Sequence, residues 1–280
     1  MALLIYFGLH LLLRLIISNT LTLDEAEQVL LSQSLQWGYS GQPPLYAWLQ
    51  QSVFFVFGRN LFSLALLKNG LLFLAYLFFL FSARELWPDR PSLPVLAVLS
   101  WFFIPQIAWE AQRDLSHSVL VLTLASASFY LVARALSRVG TRGAPGPGWY
   151  LAYGLVMALG LLSKYNFVVF AGALNLSLLI LPEGRALLLN RKIFLGLTTV
   201  VLISSPHFVW AASHWVLATR SLQKVEAGLG NNRFLGLGVF LLAVVSFLTP
   251  LWLVWLGFFP RLFRKSKMGP SAPLTLSLIH

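Results

Sequence analysis

The fold class the sequence predicts is an all-α polytopic membrane bundle, and three observations carry that expectation. Hydrophobic residues make up 58% of the 280 and charged residues only 10%, with a mean hydropathy of +0.77. A soluble domain of this length could not hide so much apolar surface. The apolar residues also gather in runs of bilayer length, about 17 to 25 residues. Lys and Arg, finally, crowd the loops on one side of those runs.

The runs place eight spanning helices at 2–18, 61–82, 92–109, 115–136, 149–163, 166–181, 193–212 and 234–258. The first has no basic stretch before its apolar run and no small-residue cleavage site, so it reads as an uncleaved helix and not a signal peptide. Segment 43–57, PPLYAWLQQSVFFVF, opens on two prolines, which suits a helix start. Its Gln50 and Gln51 assign it to the membrane interface. The fifth and sixth spans are short and meet at LLSKYN, where a lysine suits a hairpin turning near one surface. RVGTRGAPGPG (138–148) has the Gly and Pro content of a flexible loop. Residues 1–267 read as one transmembrane domain with a large loop at 19–60. The tail MGPSAPLTLSLIH (268–280) reads as the start of a further apolar segment, as expected of a fragment or short form of something longer.

Orientation follows from charge. The loops around 83–90, 133–148, 182–192 and 260–267 hold twelve Lys and Arg, whereas 19–60, 110–114, 164–165 and 213–233 hold six, together with six of the nine acids. The basic set is expected in the cytoplasm, which puts both ends of the chain inside and loop 19–60 outside. The net charge of +11 is scattered over short loops and lines no face, so no nucleic-acid partner is expected. The absence of cysteine excludes disulfides, iron–sulfur clusters, thiolate zinc sites and a cysteine nucleophile.

The polar residues of the acid-rich side are unevenly placed. Asp24, Glu25 and Glu27 occupy three of four positions just after the first span. Glu110, Arg113 and Asp114 lie between spans three and four, Lys164 and Tyr165 between five and six, and His207 and His214 at the outer end of span seven. Acids at a helix end commonly do no more than face water. Asp24 and Glu25 also precede AEQVLLSQSL, an amphipathic helix they could cap. Against that plain reading, four separate loops bring ionisable groups to one face, and such groups in a membrane protein tend to mark function. A carboxylate at the hydrocarbon boundary suits a general base, and a lysine at that depth can hold a phosphate. Together they suit transfer of a group from a lipid phosphate to a hydroxyl or amine. Neither G-x-x-x-x-G-K nor G-x-G-x-x-G occurs, which fits a donor carried on a lipid and not on a nucleotide. His207 and His214 are seven apart, not a standard chelating interval; no cofactor is obligatory and a divalent metal is left open. His117 is expected to bond locally. Trp37, Trp87, Trp109, Trp149 and Trp215 are expected as interface anchors, and Trp37 and Trp48 also as candidates to line a groove.

At these residues a resemblance appears. LDEAEQVLLSQSLQWGYSGQPPLYAWL resembles the first outer loop of GT-C glycosyltransferases, namely bacterial family 39 members and the related aminoarabinose and galacturonic acid transferases of lipid A. EAQRDLSHSVLVLTLASASFYLVARAL is similar to the second loop and fourth helix, and GLLSKYNFVVF to the junction of helices five and six. The resemblance implies a GT-C bundle that moves a sugar from a polyprenyl phosphate to a lipid, glycan or protein acceptor, by inversion. It implies Asp24 as the base with Glu25 beside it, Asp114 as the second-loop acid, and Lys164 as the phosphate contact. Tyr165, Glu110, Arg113, His207 and Arg220 are further expected contacts. Where the aminoarabinose transferases carry a basic residue before the loop proline, this chain has Gln42, which is expected among the substrate contacts without the positive charge for phosphate. The resulting expectation is a multi-pass glycosyltransferase of a bacterial inner membrane with its site facing the periplasm. A transporter or flippase and a non-catalytic membrane subunit are the rival readings. A transporter tends to carry ionisable groups near the midplane and internal repeats, and no repeat is evident here.

Overall fold

The computed structural model describes residues 1–39, 41–220 and 233–247, with Leu253 and Leu256. Among these residues regular structure is helical, and the only strand-like pairing is an isolated bridge between Tyr39 and Gln42. The helices are α1 (Ala2–Ile17), α2 (Leu23–Leu31), α3 (Leu45–Phe57), α4 (Leu61–Leu86), α5 (Ser92–Ser100), α6 (Ala111–Arg113), α7 (Ser116–Arg142), α8 (Pro147–Ser163), α9 (Phe167–Ile180), α10 (Pro182–Leu188), α11 (Ile193–Ser213), α12 (Trp215–Ala218) and α13 (Arg233–Phe247). A 3-10 turn (Trp101–Phe103) and a π-helical turn (Gln106–Glu110) join α5 to α6.

Helix occupies each of the eight expected spans, the last as far as Phe247; the remainder of that span and the 268–280 tail lie outside the described residues. The spans differ in integrity. Among the described residues α4, α7 and α11 are each long and apolar enough to cross a bilayer alone. The expected span 92–109 is instead broken, with an 81° bend between its two halves. Ile104 there is extended and Pro105 has no N–H to continue the ladder. Span 166–181 runs on into α10 through a 117° bend at Leu181–Pro182. α1 and α8, at 16 and 17 residues, are at the short end for a crossing.

The bundle is organised around α4 and α7, which pack along their length, with α1 laid on α4. Thr123 Oγ1 donates across that seam to Leu71 O at 2.9 Å, the kind of interhelical bond that membrane bundles use. Phe7, Tyr76 and Trp101 interlock edge to face, and Phe79 stacks on Trp101. The second pair, α8 with α11, approaches backbone to backbone: a Cβ on Gly154 would run into the backbone of Gly196. Large apolar side chains such as Phe194, Leu202 and Val209 point outward, as expected where lipid is the solvent.

The segment opened by Pro43 and Pro44 forms α3, with Pro44 as its N-cap. Gln50 is fully buried and donates to Ser63 O of α4, so this glutamine faces protein and not the interface. At the basic end, the loop expected at 138–148 is shorter than its composition suggests. α7 continues to Arg142, Gly143 closes it at φ 69°, and α8 starts at Pro147. Gly supplies the left-handed turn and Pro the helix start, so both residues act as punctuation within four residues.

Candidate functional site

The acid-rich ends of α1, α2, α4, α7, α8 and α11 converge. The first tie is a capping box on α2: Thr22 N donates to Glu25 Oε2 at 2.9 Å, and Thr22 Oγ1 accepts from Glu25 N. Arg14, near the end of α1, grips the same carboxylate through Nη2 at 2.6 Å and Nε at 3.1 Å. It also donates to the carbonyls of Ser18 and Thr20. Glu25 is thus 2% exposed and committed to holding α2 against α1. Its burial works to raise the carboxyl pKa, but the Arg14 and Thr22 hydrogen bonds and the charges of Lys68 and Arg14 outweigh it, and the group sits below its ordinary value.

Asp24, one residue earlier, faces the other way. Its Oδ2 accepts from Ser116 N, the first residue of α7, at 2.8 Å. Asp114 returns the contact: its Oδ1 accepts from Asp24 N at 3.3 Å and from Thr22 Oγ1 at 3.4 Å. Asp24, in the first turn of α2, thus sits at the start of α7, and Asp114, two residues before α7, at the start of α2, where each helix dipole favours a negative charge. Leu115, between Asp114 and Ser116, has φ 65° and ψ 45°, the only non-glycine with positive φ among the described residues. Such a conformation costs about 1–3 kcal/mol and is often found at functional sites.

Lys164 caps the end of α8 and donates from Nζ to Ser118 Oγ at 2.9 Å. Asp24 and Lys164 thus both reach the first turn of α7. Burial lowers the lysine's pKa, with the charge of Asp24 pulling the opposite way. The hydroxyl of Tyr165 is shut off from solvent without a hydrogen-bond partner, its ring stacked 5.8 Å from that of His207. His207 is completely buried, and its Nδ1 lies 2.7 Å from Trp37 O. A carbonyl can only accept, so Nδ1 carries the proton and Nε2, which has no partner, offers a lone pair. Gly38 lets the chain beside Trp37 close onto α11, since a Cβ there would strike the indole of Trp210. Gln42 takes part through its backbone, exchanging hydrogen bonds with Tyr39.

Other expected residues stand apart from this cluster. Glu110 is half-buried in the π-helical turn, and its carbonyl accepts from Asp114 N; Arg113, Arg220 and His214 are exposed. His214 stacks flat on Trp210, as does His207, so these two histidines use their faces against one indole. No group of three His, Cys, Asp or Glu side chains is gathered closely enough to hold a metal ion among the described residues. His117 bonds across the fold and not locally, to Gln28 Nε2 of α2 at 3.0 Å, because its ring is buried between α2, α3 and α7 where no solvent can reach it. Trp37, Trp87, Trp109 and Trp215 are exposed near helix ends, whereas Trp149 turns inward to donate to Leu131 O.

Two cations were missed by the reading of loops: Arg14 in α1 and Lys68 in α4. Their signal was present, since each is the only Lys or Arg in the expected span that holds it, and an ionisable residue inside a span is a functional candidate by default.

A family profile for dolichyl-phosphate-mannose-protein mannosyltransferases matches residues 41–210. The chain belongs to that family. Among curated proteins it is 38% identical over 248 residues to the lipopolysaccharide core galacturonosyltransferase RgtB of Rhizobium johnstonii, covering 86% of this chain and 49% of the relative. The lipopolysaccharide core galacturonosyltransferase RgtA of that organism is 36% identical, with 86% and 48% covered. The chain spans about half the length of the curated relatives it matches. A crystal structure of ArnT from Cupriavidus metallidurans bound to undecaprenyl phosphate superposes with a TM-score of 0.62 at 17% identity, over 94% of this chain and 50% of that one. The architecture is therefore the GT-C transmembrane bundle.

Proposed function

We propose that this family member works as a membrane glycosyltransferase, moving galacturonic acid from a polyprenyl phosphate to a lipopolysaccharide acceptor at the periplasmic face of a bacterial inner membrane. The relatives' names suggest the sugar and acceptor, and the lipid bound to ArnT suggests the donor. The observation that carries the reading is the meeting of Asp24 and Lys164 on the first turn of α7.

In this reaction the acceptor hydroxyl attacks the anomeric carbon, and Asp24 takes its proton as the new C–O bond forms. The bond from the anomeric carbon to the phosphate oxygen breaks with inversion, and the electron pair leaves with the polyprenyl phosphate. Lys164 steadies that phosphate as a point charge. Asp114 orients Asp24 through its backbone N–H, and Tyr165, which lines the neighbouring cavity, brings an unpartnered hydroxyl for a sugar hydroxyl, with His207 stacked behind its ring. Beside Tyr165, an apolar cavity of about 310 Å³ lined by Leu161, Val168, Phe208, Ala211 and Trp215 offers room for the first isoprene units of the donor.

The test is transfer by the purified protein from polyprenyl-phosphate galacturonic acid to lipopolysaccharide lacking that sugar, with the anomeric configuration of the product read by NMR. Inversion with release of one polyprenyl phosphate per sugar is expected. A product that keeps the donor's configuration, or no release from this donor, contradicts the proposal.

A further inference from the structure

Three carboxylates, Asp24, Glu25 and Asp114, stand together at the start of α2 and α7, and like charges gathered this closely repel one another. Of the nearby cations, Arg14 is committed to Glu25 and two carbonyls, and Lys164 to Ser118. Among the described residues no side-chain cation is hydrogen-bonded to Asp24 or Asp114, and Lys164 reaches Asp24 only through its charge. Lys68 lies seven residues into α4 from Leu61, about 10 Å below its end at ~1.5 Å per residue. It is 3% exposed, and its Nζ has no hydrogen-bond partner among the described residues. Its electrostatic neighbours are Glu25, Asp114, Asp24 and Arg14.

We infer that Lys68 is a positioning residue: from inside α4 it supplies a buried positive charge that offsets the repulsion among Asp24, Glu25 and Asp114 and holds that cluster in place. A buried unpaired ammonium is expensive, and the field of three carboxylates is what offsets that cost here. The elements packed on this part of α4 bring His10 and Arg14 from α1, Tyr46 from α3 and His117 from α7, while α5 has no titratable residue. Of the other cations, Arg14 is engaged by Glu25 and Lys164 acts on Asp24 from the end of α8, which leaves Lys68 as the cation buried beneath the cluster. A lysine that touched the donor would need a path to it, and Lys68 is closed off by protein. It acts through Asp24 and Asp114, and it rests on the proposed chemistry only where turnover is concerned.

The experiment compares Lys68→Met and Lys68→Arg with the parent protein by thermal unfolding in detergent, from neutral pH down to about 4, where carboxylates protonate. Removing the cation penalises the ionised carboxylates, so the Tm deficit of Lys68→Met is expected to be largest near neutrality and to shrink by half or more at the acid end. Lys68→Arg keeps the charge and is expected to stay within about 2 °C of the parent. A deficit independent of pH, no deficit, or a deficit shared by Lys68→Arg overturns the inference. Should Lys68→Met fail to fold, the double variant with Asp114→Asn must regain folding if lost charge is the cause; continued failure assigns the lesion to packing and overturns it. In the transfer assay, the acid limb of the kcat/KM profile should move up by about one pH unit in Lys68→Met, and an unmoved limb overturns the role. Absence of transfer by the parent protein would count against the proposed function and leave the unfolding result to decide on Lys68.

Discussion

Asp24 and Asp114 cap each other's helices: Asp24 Oδ2 accepts from Ser116 N at the start of α7, and Asp114 Oδ1 accepts from Asp24 N in the first turn of α2. The two residues are 90 positions apart in the chain, so this exchange is what locks the first large loop onto the main helix pair. Loss of a capping side chain costs about 0.5–2 kcal/mol. Asp114→Ala is therefore expected to lower Tm in detergent and to make the 22–25 backbone amides exchange faster with deuterium. Unchanged exchange at Asp24 and Glu25 would show that Asp114 does not hold α2.

The ion pair of Arg14 with Glu25 carries a different load. Breaking a buried pair by removing one partner costs about 3–5 kcal/mol, so Arg14→Met should destabilise the protein by about 3 kcal/mol. Glu25 is held below its ordinary carboxylate pKa once hydrogen bonding and charge outweigh burial. Its contribution to stability is then complete above the unfolded-state pKa and is lost as pH falls through the folded one. Chemical unfolding as a function of pH should show that acid-side loss in the parent and a shallower one in Glu25→Gln.

Lys164 sets the alkaline side. Burial lowers its pKa while Asp24 opposes the shift, so its ammonium, the proposed phosphate contact, is lost at lower pH than for a free lysine. The kcat/KM profile should fall on an alkaline limb below the usual lysine range. Lys164→Arg, which stays protonated, should move that limb upward whatever it does to the maximum rate. A limb at the same position in Lys164→Arg would assign it to another group.

Close backbone contact between α8 and α11 gives a stability prediction independent of the chemistry. Gly154→Ala puts a methyl group where the backbone of Gly196 lies, and overpacking of this kind costs about 1–3 kcal/mol. Gly172→Ala, at a position with open space around it, should be neutral or slightly stabilising within its helix. Equal Tm values for the two variants would mean that the helices separate without cost.

Much of this was legible in the sequence, and the exceptions have physical causes. Apolar run length located the helices because lipid demands long apolar stretches, but it could not report the bends at Pro105 and Pro182, which keep hydropathy intact while turning the chain. The convergence of Asp24, Asp114 and Lys164 follows from loop position, since a topology map brings loop ends on one face together. The capping expectation for Glu25 is met by its box with Thr22, whereas its ion pair with Arg14 is not legible because that arginine lies inside a span that otherwise reads as hydrophobic. Gln50 was assigned to the interface on polarity alone, when a buried carbonyl of Ser63 accounts for it. Lys68 was passed over for the same reason as Arg14: counting charges in loops ignores the few inside helices.

The central claim is that Asp24 takes the acceptor's proton. An amide oxygen can still accept from Ser116 N, so Asp24→Asn should keep the fold and donor binding, and only the base is removed. The decisive measurement is single-turnover release of polyprenyl phosphate by parent and Asp24→Asn protein, with donor affinity measured on the same samples. General-base catalysis contributes about 10²–10⁴-fold, so a loss of at least ~10²-fold in rate at unchanged donor affinity is the result expected. A folded Asp24→Asn protein that turns over near the parent rate would contradict the account.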